Sequence, residues 1–173
     1  MNNNELYLKT AFCCMACDGE IANKELQLVK QFAQTSNLFN GIDIETTLNA
    51  FVEEINNIGK AFLNSFIKKV SEANLNETQE LELAKIAIKM IAADEKIEYS
   101  EISFFKRIRN KLHVKDEQLT EIFNNENLFD KFPEVQADDF LLPDIEENDD
   151  VAWNATFESI SLNFSDLNNT IKT

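Results

Sequence analysis

The chain has 173 residues, with 31 acidic against 16 basic side chains and a formal net charge of −15. That balance argues against binding a nucleic-acid backbone, which needs clustered Lys and Arg, and against an anionic membrane surface. Three Gly and two Pro leave room for long helices, and fourteen Phe beside one Trp and two Tyr point to a Phe-rich core rather than an aromatic binding surface. In chain order, residues 3 to 17 predict a helix with apolar groups on most sides (Leu6, Leu8, Ala11, Phe12, Cys14, Met15), as a central helix has. Residues 22 to 36 follow with one apolar face built from Leu26, Leu28, Val29, Phe32 and Ala33. Gly41 and Asp43 punctuate the next start, after which Ile44, Leu48, Phe51, Val52 and Ile55 recur at helical spacing. Gly59 separates that run from Phe62, Leu63, Phe66, Ile67 and Val70. Residues 76 to 93 predict a second helix apolar on most sides, opened by Asn76 and Gln79 as a capping box. Residues 98 to 112 carry one apolar face, 116 to 124 a short helix, and one more turn reaches Phe132. The expectation is an all-α fold of seven or eight helices and no sheet.

Two of these units superpose without a gap at an offset of 76 residues. Met15-Ala16-Cys17-Asp18-Gly19-Glu20-Ile21, continuing to Glu25, aligns with Ile91-Ala92-Ala93-Asp94-Glu95-Lys96-Ile97, continuing to Glu101. In each, an apolar helical run stops at an Asp, one Ile follows in a tight connection, and a Glu stands seven residues after the Asp. A duplicated helix-loop-helix unit implies a pseudo-symmetric bundle of about seven helices.

The acidic loops have two readings. Asp18, Glu20 and Glu25 could surround one turn with carboxylates, and Asp94, Glu98 and Glu101 could do so in the second loop, suiting a hard divalent cation such as Ca²⁺ or Mg²⁺. The spacing differs from an EF-hand loop, and Lys96, standing where the first loop has Glu20, would repel a cation. Alternatively, a Glu three residues into a helix is the return arm of a capping box, and an Asp at a helix end bonds to the following turn. Ala22, at the expected cap position of the first loop, offers no side-chain acceptor.

Cys13, Cys14 and Cys17 crowd one helix and form no disulfide framework; with His113 as the only His, the ligands for a structural zinc are short and core filling is the stronger reading. His113 reads as a helix C-terminal residue. Spacing alone reveals no nucleophile-base pairing, and no Gly-rich phosphate loop or H-E-x-x-H pattern stands in the sequence. Pro133 marks a change: residues 133 to 173 hold ten acidic residues and one basic. Acids interleave with large apolar groups from Asp138 to Ile145, and Val151, Trp153 and Phe157 continue the apolar content. Ile160, Leu162 and Phe164 alternate with period two, as in an extended segment laid against a groove. The expected organisation is a helical domain over 1–132 and an acidic linker with a docking tail over 133–173, the alternative being a disordered acidic tail. No secretory signal or membrane-length apolar stretch is seen, so a cytoplasmic protein without membrane insertion is expected.

The first loop, Ala16-Cys17-Asp18-Gly19-Glu20-Ile21 with Glu25, resembles the signature of the TerB-like (tellurite-resistance) family, and its looser copy at Asp94, Ile97 and Glu101 fits too. The resemblance covers about residues 5 to 125. It implies a non-enzymatic, all-helical cytoplasmic module linked with tellurite resistance, chemical stress and phage defence. It also implies metal-binding acidic residues, which carried over position by position are Asp18, Glu25, Asp94 and Glu101. The departures are Ala22, Glu95 for Gly19 and Lys96 for Glu20. The resulting expectation is a module acting through protein partners, with a divalent metal at its loops and self-association through the tail. A structural adaptor with capping acids is the alternative, and a two-metal hydrolase ranks last.

Overall fold

The computed structural model describes residues 2–143 together with residues 160 and 162. The expectations placed on Ile145, Val151, Trp153, Phe157 and Phe164 lie outside the described residues. Among the described residues the chain is all-helical, with nine helices and no strand. They are α1 (Asn3–Ala16), α2 (Asn23–Thr35), α3 (Ile44–Ile58), α4 (Lys60–Glu72), α5 (Glu77–Ile91), α6 (Tyr99–Arg109), α7 (Asp116–Asn125), α8 (Leu128–Lys131) and α9 (Ala137–Leu141).

The two helices with apolar groups on most sides, α1 and α5, form the most extensive helix pair and the centre of the bundle. From Leu6 to Ala16 every residue of α1 is buried. Lys9 is among them: its ammonium lies 4.5 Å from the Phe62 ring centroid and 5.3 Å from that of Phe51. That cationic contact with two ring faces offsets part of the cost of burying the charge, and burial still holds its pKa below the ordinary lysine value. Phe12 contacts the same two rings, with centroids 5.4 Å from Phe51 and 5.6 Å from Phe62. All three cysteines are free and buried in this core.

Caps explain where the helices begin and end. Asn76 and Gln79 exchange hydrogen bonds at 2.9 Å each, the expected reciprocal box. Gly59 takes a positive φ of 58°, which ends α3 and starts α4 with no spacer. α6 stops at Arg109, three residues before the expected end, so His113 lies in a loop rather than at a helix terminus. The reason is Glu80 on α5. Its carboxylate accepts from the backbone N–H groups of His113 (2.7 Å) and Val114 (3.1 Å) and contacts His113 Nδ1 at 2.9 Å. One buried acid thereby satisfies two loop amides and fixes the entry to α7.

Among the described residues that follow α7, both α8 and α9 pack on the bundle. Phe140 of α9 is fully buried against Phe105 (5.8 Å between centroids), Phe123 (5.3 Å) and Phe129 (6.3 Å). With only five residues, α9 is too short for helical periodicity to stand out in sequence.

Candidate functional site

The connections α1–α2 and α5–α6 bring the acidic residues of both loops to one end of the central helix pair. Lys24 Nζ bonds to Glu95 Oε1 at 3.0 Å, linking the loops directly. Both partners are largely exposed, so the bond marks proximity more than stability.

The two buried carboxyls are positioned alike. Glu25 Oε2 accepts from Ala22 N–H at 2.9 Å, and Glu101 Oε2 accepts from Glu98 N–H at 2.7 Å. Each is the return arm of a capping box without its outward arm, since neither Ala22 nor Glu98 makes a side-chain cap bond. Ala22 needs no side-chain acceptor for this, because the arm uses only its backbone N–H. Both carboxyls are about 5% exposed or less. Burial pushes each up to about 8 against an ordinary 4.5, with the cap N–H pulling the other way. Repulsion adds to this: Glu25 feels Glu101, Asp18 and Asp94, and Glu101 feels Asp18, Glu98 and Asp94.

The Asp residues stand at the rim and differ in geometry. Asp18 Oδ1 accepts from Glu20 N–H at 2.9 Å, an Asx turn that Gly19 permits with φ at 91°. In the second loop Glu95 replaces Gly19 and has no positive φ, and Asp94 Oδ1 instead accepts from the adjacent Glu95 N–H at 2.8 Å. The two loops therefore turn differently despite their aligned residues. Both Asp side chains are solvent-accessible, and partial desolvation still raises Asp18 above its ordinary value. Glu20 is exposed at the same rim. Lys96 pairs with Glu98, one of the acids that act on Asp18 and Glu101, at 3.4 Å. Beneath the acids, Cys14 and Cys17 are buried, and burial with nearby negative charge pushes their thiols well up, so they stay protonated and unreactive.

Sequence reading named Asp18, Glu20, Glu25, Asp94 and Glu101 and considered a meeting of the two loops only for the two-metal hydrolase; it gave no sign of the Lys24–Glu95 link. Those partners are 71 positions apart and leave no local signal. As a donor set, the acids match a hard divalent cation in type and charge, because two buried carboxyls repelled by their neighbours would be relieved by one. Among the described residues, no group of three or more His, Cys, Asp or Glu side chains is arranged to hold a metal ion. Binding would need these side chains to turn from their caps. No described helix is long and apolar enough to cross a membrane.

A helical bundle with two acidic interhelical loops meeting at one end, each backed by a buried capping glutamate, defines the class. The chain belongs to the tellurite resistance protein TerB family, whose profile matches residues 10–124. No curated protein and no solved structure matches it.

Proposed function

We propose that this TerB-family protein is a non-enzymatic stress-response or defence module that acts through protein partners, with a divalent cation, Ca²⁺ or Mg²⁺, bracing the paired acidic loops. The observation that carries this reading is the convergence of two buried carboxyls, Glu25 and Glu101, at the end of the bundle where Lys24 links the two loops, with Asp18 and Asp94 at the rim; burial and these neighbours raise the proton affinity of both glutamates. Such a cluster is unfavourable to the empty, ionised site and favourable to a cation that neutralises it. Asp18, Glu20 and Glu25 from the first loop and Asp94 and Glu101 from the second would supply oxygen donors. A bound ion would tie the end of α1 to the start of α2, so the surface offered to a partner would depend on loading.

Millimolar Ca²⁺ or Mg²⁺ is expected to raise the melting temperature of the wild type by about 3 °C or more, by mass-action linkage. Asp18→Ala is expected to lose most of that rise while melting close to the wild type in chelator. Unmoved transitions in both cations would remove the metal and leave the acids as helix caps.

A further inference from the structure

Ile160 lies within the hydrophobic core cluster at 6% exposure, and Leu162 packs against that cluster from a partly buried position. The main chain of Ile160 is held by one side chain on α3. Its N–H donates to Asn56 Oδ1 at 2.8 Å, and Asn56 Nδ2 donates to its carbonyl oxygen at 2.9 Å. The N–H and C=O of a single residue face the same way only where the backbone is extended. A primary amide then supplies the acceptor and the donor that a neighbouring strand would. Such a clamp recognises main chain and is indifferent to side-chain identity. Selectivity falls to the apolar group it delivers into the core, and to the residue two positions on, which faces the same side in an extended chain.

We propose that the Asn56 edge of α3 is a docking site for an extended peptide with aliphatic residues at alternate positions, and that its occupant is the part of this chain that carries Ile160 and Leu162. The inference rests on neither the acidic loops nor a metal. Because site and segment share one chain, effective concentration favours capture in cis, and the same sequence offered in trans must compete with it.

Hydrogen exchange on the full chain tests the cis contact. The Ile160 amide is expected to exchange at least roughly tenfold more slowly in the wild type than in Asn56→Ala, with α1 and α5 protected equally in both. Asn56 is on the exposed side of α3 and Ala is a good helix former, so the variant should fold. A second measurement uses a labelled peptide of residues 156–166 and fluorescence anisotropy. The full-length Ile160→Asp chain, its own anchor disabled, is expected to bind the peptide at least roughly tenfold more tightly than the wild type. Adding Asn56→Ala to it should abolish that binding. An Ile160 amide that exchanges equally fast in wild type and Asn56→Ala would overturn the proposal. So would equal peptide capture by the wild type and Ile160→Asp.

Discussion

Glu25→Gln is expected to stabilise the metal-free protein at neutral pH by on the order of 2 kcal/mol, about 5 °C in melting temperature. The cap would survive, because a glutamine carbonyl does the same work elsewhere in the chain. Gln79 Oε1 accepts from Asn76 N–H and Gln118 Oε1 from Lys115 N–H, both at 2.9 Å. What the substitution removes is an ionisable group in a site that resists ionisation. Glu25 moves from 4.5 to about 8 on folding, as does Glu101. Between those values the folded chain keeps protons that the unfolded chain has released, so stability falls as pH rises through that window and levels off above it. Melts in chelator across this range should show that decline in the wild type and a shallower one in Glu25→Gln. With a divalent cation present the order should narrow or reverse, since the variant has lost a ligand. A Glu25→Gln protein that melts at or below the wild type throughout in chelator would show that Glu25 is ionised and satisfied in the empty fold.

Phe140→Ala is expected to cost about 3–5 kcal/mol, as truncating a fully buried aromatic in a closed cluster does. Phe140 contacts Phe105 of α6, Phe123 of α7 and Phe129 of α8, so α9 closes the packing of three other helices. The family match ends at residue 124, whereas this cluster continues beyond it. Chemical denaturation of the two proteins measures the difference. A change under roughly 0.5 kcal/mol, typical of surface positions, would mean that α9 is not part of the folding unit.

Much of this fold is legible in sequence because its helices are long and their apolar spacing is regular. Asn76 with Gln79 and the Gly59 break both act through neighbours within a few residues, where pattern and structure coincide. What escaped was non-local. Nothing near Glu80 indicates that its carboxylate will be buried under loop amides 33 and 34 positions away. Nothing local to Lys9 signals that a pair of Phe rings from α3 and α4 will enclose it. At the candidate site, sequence supplied the acids and the capping role of Glu25 and Glu101. Their raised pKa values follow from burial and from the meeting of two loops, which only the packing of α1 on α5 determines.

The acidic loops are expected to take up a cation through the Glu25 and Glu101 carboxylates, whose raised proton affinity means that protons must leave as the ion binds. Calorimetric titration of the chelator-treated protein with Ca²⁺ and Mg²⁺, at neutral pH in buffers of different ionisation enthalpy, tests it most directly. Ligation requires deprotonation, so saturable binding with release of about one to two protons per ion is expected. Absence of binding heat, or binding with no proton exchanged, would contradict the account.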